Sequence, residues 1–289
     1  MHPTLSPDVP RLPSLTEARA LLTHAVTAVN EFGESVSISV PAERPLTVYV
    51  DKRELVTLMT LGASPELLVL GYLRNQRLVA SASDVESITV DWDVGAAAVK
   101  TRNGIANIEE KTAKRVVTTG CGQGSMFGDL MEDLGNIHLP DAAITQTQLY
   151  GIVNTIRVKE STYKSAGSVH ACALFQGEEM LLFVEDVGRH NALDTIAGWM
   201  AMQESNFSSG HDKVFYTTGR LTSEMVIKSA QMGVPIVISR SGITEMGLAV
   251  AEKLGLCVIG RATNKHFLCY AGAERLVSQP EMAGPKLRA

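Results

Sequence analysis

The segment Gly120-Cys121-Gly122-Gln123-Gly124 places one thiol among three glycines, directly after a β-branched run at 116–119. Glycine permits positive φ and leaves the backbone bare, so a partner molecule can come close to the sulfur. Two interpretations fit this pattern. Cys121 is either a reactive thiol on an open loop or a side chain in an ordinary tight turn.

A second set of candidate residues lies in the C-terminal half, where predicted strands end. Each of four junctions carries an arginine beside a glycine or a serine, at Gly188-Arg189, Gly219-Arg220, Ser239-Arg240-Ser241 and Gly260-Arg261. Strand carboxyl ends in α/β sheets meet the free N–H groups of helix N-termini, and arginine adds a planar fork suited to phosphate oxygens. The pattern predicts a phosphate-bearing ligand, and the alternative is a set of solvated or structural ion pairs.

His170 and His190 lie near these junctions. A histidine at a strand or helix edge is either a hydrogen-bonded structural residue or a ligand contact, and spacing does not decide between them. The sequence has no cysteine pair at zinc-ligand spacing and lacks the zinc-deaminase pattern. It also lacks a Walker loop and a Gly-x-Gly-x-x-Gly at a strand-to-helix turn. We therefore expect no zinc and no standard nucleotide-hydrolase or dinucleotide site.

Composition sets the class of protein. The 289 residues are 45% hydrophobic and 20% charged, with a formal net charge of −5, which indicates a globular protein without a basic face for nucleic acid. No secretory signal is recognisable and the apolar runs are too short to cross a bilayer, so we expect a cytoplasmic protein without membrane contact. The remaining cysteines, Cys172, Cys257 and Cys269, lie in apolar strand-like runs, which predicts inert core thiols.

The N-terminal half is predicted to be rich in strands. Residues 14–17 form a capping box before apolar residues at helical spacing, which predicts one helix ending near residues 30–33. Period-two patterns then predict strands at 36–40, 46–50, 55–61, 85–92 and 95–99, with a helix at 64–73. We expect an extension at 1–35, a strand-rich α+β domain at 36–115, and a loop and connector at 116–145.

The C-terminal half alternates between strands and helices. Helices are predicted at 146–158, 191–202, 222–232 and 244–254, and strands at 169–175, 180–184, 213–217, 235–239, 256–259 and 267–270. This alternation predicts an α/β domain at 146–276 around a mostly buried sheet, followed by a tail at 277–289.

These residues resemble a known family, the formate dehydrogenase accessory sulfurtransferases (FdhD family). The matching runs, in the family's order, are 44–48, 67–73, 120–122, 168–173, 185–194, 219–226 and 239–241. The most specific is Asp186-Val187-Gly188-Arg189-His190-Asn191-Ala192-Leu193-Asp194. The resemblance covers roughly residues 36–276.

The resemblance implies a sulfur carrier that takes sulfur from a cysteine desulfurase, as a persulfide on Cys121. The acceptor would be the molybdenum cofactor of formate dehydrogenase, Mo-bis(molybdopterin guanine dinucleotide), which GDP-like nucleotides would mimic. It also implies a homodimer and a cytidine-deaminase-like three-layer C-terminal domain without the zinc site. The family's cofactor segment corresponds here to Gly260, Arg261, Ala262, Thr263, Asn264, Lys265 and His266. The strand-end residues His170, Arg189, His190, Arg220, Arg240 and Ser241 complete the expected site.

Two departures from the family pattern matter. Many relatives have a second loop cysteine where this chain has Gly124, so transfer would use a single persulfide. Arg261 stands where an aromatic residue is common. A cofactor-binding chaperone without sulfur chemistry is the alternative function, since it needs the arginines but not the thiol. A thiol-disulfide oxidoreductase is a third interpretation, which the missing second loop thiol disfavours.

Overall fold

The computed structural model describes residues 12–109, 133–203 and 212–283. The strands are β1 (Ser14–Leu15), β2 (Thr23–Val29), β3 (Ser35–Pro41), β4 (Arg44–Val50), β5 (Arg53–Thr60), β6 (Val85–Asp91), β7 (Ala96–Thr101), β8 (Ile144–Thr145), β9 (His170–Gln176), β10 (Glu179–Asp186), β11 (Lys213–Thr217), β12 (Ile236–Ser239), β13 (Cys257–Thr263), β14 (His266–Ala271) and β15 (Leu276–Val277). The helices are α1 (Pro65–Asn75), α2 (Gln146–Val158), α3 (Thr162–Ala166), α4 (Arg189–Met202), α5 (Ser223–Gln231) and α6 (Glu245–Leu254).

The N-terminal sheet has the strand order β1-β6-β7-β4-β5. In β4 the alternating residues Leu46, Val48 and Val50 are buried, as period-two patterning requires of a sheet with one face on the core. Helix α1 lies against this face, with Leu68 and Leu73 in the same apolar cluster. The strands and the helix predicted for residues 36–101 are confirmed.

The C-terminal sheet has the order β10-β9-β11-β12-β13-β14, with the neighbours β11, β12 and β13 parallel. Both faces of this sheet are covered. Helices α4, α5 and α6 contribute to the apolar cluster on one face, and α2 contributes to the cluster on the other. The predicted alternation of strands and helices is confirmed as three layers, helix on sheet on helix. Within the described residues, no helix combines the length and apolar character needed to span a membrane.

The helix predicted from residue 14 to about residue 30 is wrong, because this stretch forms strands. β2 pairs with β3 in an antiparallel hairpin. Its turn is fixed by Asn30, whose Oδ1 accepts hydrogen bonds from the N–H groups of Phe32 and Glu34, and by Gly33 at φ +78°. Ser14, the expected N-cap, instead pairs with Ser87 in the sheet, and the Thr16 hydroxyl donates to Glu66. Tertiary pairing thus overrides the helical spacing.

The two sheets are joined by α1 and α4, which cross at Gly71 and Gly198. A Cβ on Gly71 would lie 1.6 Å from the carbonyl oxygen of Asp194. The Asp194 carboxylate accepts a hydrogen bond of 2.6 Å from Asn75 of α1. A second link lies at the start of α4, where the Asn191 amide donates to the carbonyl oxygen of Met59 (2.7 Å). This joint fixes the N-terminus of α4 at one edge of the larger sheet.

Candidate functional site

The carboxyl ends of the parallel strands lie at one edge of the larger sheet, and their loops are bonded to each other. The N–H of Arg240 donates to the carbonyl oxygen of Thr217 (3.0 Å), and the N–H of Arg261 donates to that of Ser241 (2.8 Å). β9 runs antiparallel, so its first residue, His170, lies at the same edge. The topology therefore brings the predicted strand-end residues to one side of the domain, as parallel sheets require.

Close packing holds these loops in place. The Ser239 hydroxyl donates to the carbonyl oxygen of Gly219 (2.7 Å) and accepts from the N–H of Ser241 (2.9 Å). A Cβ on Gly219 would lie 2.9 Å from Cδ of Arg189, and a Cβ on Gly260 would lie 2.9 Å from the Ser241 carbonyl oxygen. The glycines at these two junctions make room for neighbouring loops and for the Arg189 side chain.

Positive charge gathers on the side of the edge formed by α4 and α5. Arg189 is only 8% exposed, whereas Arg220 is exposed and His170 is half-buried. Burial lowers the pKa of His170, and the nearby charges of Arg189 and Arg220 lower it further. Both effects favour the neutral form of the His170 imidazole near two guanidinium groups. An anion placed here would be attracted by the charges of both guanidinium groups.

His190, a predicted cofactor-binding residue, is placed differently. It is 1% exposed, and its Nε2 lies 3.3 Å from a carboxylate oxygen of Glu224. Glu224 in turn lies 3.5 Å from Lys228, whose Nζ donates to Asp194 at 2.9 Å. Burial raises the pKa of Glu224, against the opposing charge of Lys228. His190 thus belongs to a buried ionic network beneath the edge rather than to its surface.

A cavity of about 250 Å³ opens on the α2 side of the same edge. Four predicted residues line it together: Arg240, Ala262, Thr263 and Asn264. Tyr216 lies beside them, and burial raises its pKa to about 12 although the charge of Arg240 opposes this shift. The cavity thus combines an apolar wall with a cation, which is typical of small-molecule sites.

Sequence reasoning missed three residues that line this cavity, Arg157, Tyr163 and Lys164. They belong to α2 and α3, not to a strand end, so the strand-end pattern could not identify them. The sequence did contain one indication of a cationic site. The helix predicted at 146–158 carries Arg157 in its last turn, four residues before Ser161, the N-cap of α3. Only the fold shows that this turn faces Arg240.

The rest of the predicted cofactor segment forms the exposed β13–β14 hairpin. Arg261, Lys265 and His266 are exposed and do not line the cavity. The hairpin tip is tied to α2, because the Tyr150 hydroxyl donates to the carbonyl oxygen of Lys265 (3.1 Å) and the Lys265 ammonium lies 5.9 Å from the Tyr150 ring centroid. These contacts hold the hairpin against α2, next to the edge of the sheet.

A larger cavity of about 710 Å³, lined by Arg74 and Arg77 among others, contains none of the predicted site residues. Cys121, the predicted catalytic residue, lies outside the described residues. Across residues 12–109, 133–203 and 212–283, no group of three or more His, Cys, Asp or Glu side chains is arranged to hold a metal ion.

Comparison with known proteins shows which family the chain resembles. Its residues 41–277 match the FdhD/NarQ family model. A protein of Listeria monocytogenes serotype 4b (strain F2365), named sulfur carrier protein FdhD, is 30% identical over 247 residues, covering 84% of this chain and 93% of the relative. The protein of that name from Bacillus subtilis (strain 168) is 31% identical over 239 residues, covering 81% and 88%.

A crystal structure from Desulfotalea psychrophila, described as a proposed formate dehydrogenase accessory protein, has the same fold. Its TM-score is 0.73 at 23% sequence identity, covering 88% of this chain and 98% of that one. The family match spans most of the residues that build both sheets and the edge. The chain is therefore a member of the FdhD/NarQ family.

Proposed function

We propose that this protein is a sulfurtransferase that carries sulfur as a persulfide on Cys121, from a cysteine desulfurase to the molybdenum cofactor of formate dehydrogenase. The observation that supports it best is the edge of the larger sheet. Arg240 and residues 262–264 line one cavity on the α2 side of this edge. Arg189, Arg220 and His170 lie on the α4 side of the same edge. Such a surface suits a substrate with nucleotide and pyrophosphate groups, as Mo-bis(molybdopterin guanine dinucleotide) has.

The first transfer is a sulfur exchange without net oxidation. The Cys121 thiolate attacks the terminal sulfur of the donor's persulfide, a new S–S bond forms, and the donor leaves as a thiolate. Cys121 then holds the sulfane sulfur until the acceptor donates an electron pair to it. A bond from the acceptor to the sulfur forms, the S–S bond breaks, and the Cys121 thiolate is restored. One thiol completes this cycle, so Gly124 in place of a second cysteine is compatible with it.

In this proposal, the residues that line the smaller cavity bind the substrate. Arg240 is positioned to meet phosphate oxygens at the mouth of the smaller cavity, and Arg157 and Lys164 extend the positive wall. Tyr163 and Tyr216 offer aromatic surface for a base. We further propose a cytidine-deaminase-like arrangement for the larger sheet, a homodimer, and a cytoplasmic location, as the family resemblance implies.

Mass spectrometry tests the sulfur-carrying step. After incubation with a cysteine desulfurase and cysteine, the peptide containing Cys121 is expected to gain about 32 Da, the mass of one sulfur atom. The gain should disappear on treatment with a reducing thiol and should be absent from Cys121→Ser. Full activation of formate dehydrogenase by Cys121→Ser would instead support a cofactor-binding chaperone.

Calorimetry with GDP tests the binding surface. A charge-assisted hydrogen bond contributes about 1.5–3 kcal/mol, so Arg240→Ala should weaken GDP binding about tenfold or more. Arg53→Ala is a matched control, because Arg53 lies on the other sheet and pairs with Glu109 at 3.1 Å. Equal affinity of Arg240→Ala and the wild type would remove Arg240 from the site.

A further inference from the structure

Two cysteines that the sequence predicts as inert core thiols are neighbours in the structure. Cys269 of β14 pairs with Ile259 of β13. Cys257 precedes Ile259 by two residues, so it lies on the same face of the sheet as Ile259 and Cys269. Both cysteines belong to the apolar cluster on the α2 side. The register therefore makes them diagonal neighbours on one face of the β13–β14 ladder, a cross-strand thiol pair.

The two thiols differ in access and in acidity. Cys257 is 0% exposed, whereas Cys269 is half-buried on the last strand of the sheet. The interaction between the two thiols lowers the pKa of Cys269 and raises that of Cys257, which burial raises further. Cys172 is a useful contrast, because burial raises its pKa to about 12. Cys269 is thus the most accessible and the most acidic thiol of these three.

We propose that Cys257 and Cys269 form a peroxide-sensitive pair in which Cys269 is oxidised first and Cys257 then closes a disulfide between β13 and β14. Hydrogen peroxide oxidises the Cys269 thiol to a sulfenic acid, and one water forms. The Cys257 sulfur attacks the Cys269 sulfur, the S–O bond breaks, and the hydroxyl leaves as water with the thiol proton. Two thiols lose two electrons and two protons, and peroxide is reduced to two waters.

A small shift of β14 against β13 is expected to bring the two sulfurs to bonding distance. In the described chain β14 is bonded to β13 on one side and ends the sheet. The pairing is irregular at this point, with a register shift between Val258 and Ile259. A bulge on an edge strand adjusts more easily than a regular central strand. The disulfide would enclose residues 258–268, which include the whole segment 260–266.

Peptide mapping under non-reducing conditions tests the proposal. Treatment of the wild-type protein with hydrogen peroxide should give a disulfide between Cys257 and Cys269 that a reducing thiol reverses. Cys172, with about a thousandfold smaller thiolate fraction than a thiol at the ordinary pKa of 9.0, should stay unmodified. Oxidation of Cys269 no faster than that of Cys172, or its pairing with Cys121, would overturn the proposal.

Two variants separate the roles of the pair. In Cys257→Ser, Cys269 should stop at the sulfenic acid, which dimedone traps, and then progress to the sulfinic acid. In Cys269→Ser, Cys257 should remain a thiol. Equal dimedone trapping in the wild type and Cys257→Ser would show that Cys257 does not resolve the sulfenic acid. Peptide mapping of the wild-type protein detects the disulfide directly. The proposal can therefore be refuted even if one of the variants fails to fold.

A comparison of GDP binding by the reduced and oxidised proteins rests on the proposed function. We expect the disulfide to change GDP affinity, because it restrains the hairpin that contributes Thr263 and Asn264 to the cavity. Absence of GDP binding in both forms would count against the nucleotide site alone. Absence of the disulfide would count against the thiol pair alone.

Discussion

The crossing of α1 and α4 leads to a sharp prediction for Gly71→Ala. The added Cβ would lie 1.6 Å from the carbonyl oxygen of Asp194 and 2.6 Å from the backbone nitrogen of Gly198, whereas real Cβ contacts under 3.0 Å are essentially never observed. Both obstacles are helix backbone, so no side chain can rotate away. The helices must separate, and overpacking of this kind costs about 1–3 kcal/mol.

The expected net loss is smaller than this cost, because alanine favours a helix over glycine by about 1 kcal/mol. With the packing cost at the upper end of its range, Gly71→Ala should reduce the free energy of unfolding by about 2 kcal/mol. Urea unfolding followed by circular dichroism measures this difference.

Gly151→Ala is the matched control in α2. There the added Cβ would meet the carboxylate of Glu178 at 2.1 Å, the far end of a flexible side chain. Glu178 can swing aside, so the gain in helix propensity should leave this variant as stable as the wild type or more stable by about 1 kcal/mol. If Gly71→Ala proved as stable as Gly151→Ala, the close crossing of α1 and α4 would be refuted.

Three further predictions concern buried and half-buried polar groups. Lys228→Met leaves the Asp194 carboxylate without its buried cation, so unfolding in urea should show a loss of about 3–5 kcal/mol, and Asp194→Leu/Lys228→Met should lose less. Thr60→Val removes one of the donors to the buried Asp186 carboxylate and should lower the unfolding free energy by about 1–3 kcal/mol, measured in the same way. The pKa of His170, followed by NMR, should lie below 6.5 and rise towards it in Arg220→Ala, because one repelling charge is removed. Since this pKa is lowered on folding, the wild-type protein should gain stability as pH rises through the interval between the folded value and 6.5.

Much of the fold could be predicted because hydrophobic period and turn residues are local signals. Most strands and helices after residue 35 follow this rule, except the short elements α3, β8 and β15, which were not predicted. Helix α2 begins at the capping box of Thr145 and Gln148. The helix predicted for the N-terminal stretch is wrong because its residues have distant partners. Ser14, the expected N-cap, pairs with Ser87, and the Thr16 hydroxyl accepts from the N–H of Val90 and donates to Glu66. A local pattern cannot report such distant partners.

The candidate site could be predicted in part, for a similar reason. Strand ends of a parallel sheet meet at one edge, so Arg220 and Arg240 could be grouped without a structure. Arg157 and Lys164 could not, because their position at the cavity depends on how α2 and α3 pack across the sheet. The contact between Cys257 and Cys269 depends on the β13–β14 register and was equally hidden.

The run from Asp186 to Asp194 has two structural roles at the start of α4. Asp186 accepts from the N–H of Leu61 (3.1 Å) and from Asn191 (2.9 Å), which joins the smaller sheet to α4. One turn of the same helix packs Arg189 against Gly219 and turns His190 inward towards Glu224. A change at the joint must therefore move the arginine at the edge. Substitutions of Asp186 or Asn191 should impair GDP binding and stability together, whereas Arg220→Ala on the exposed surface should impair binding alone.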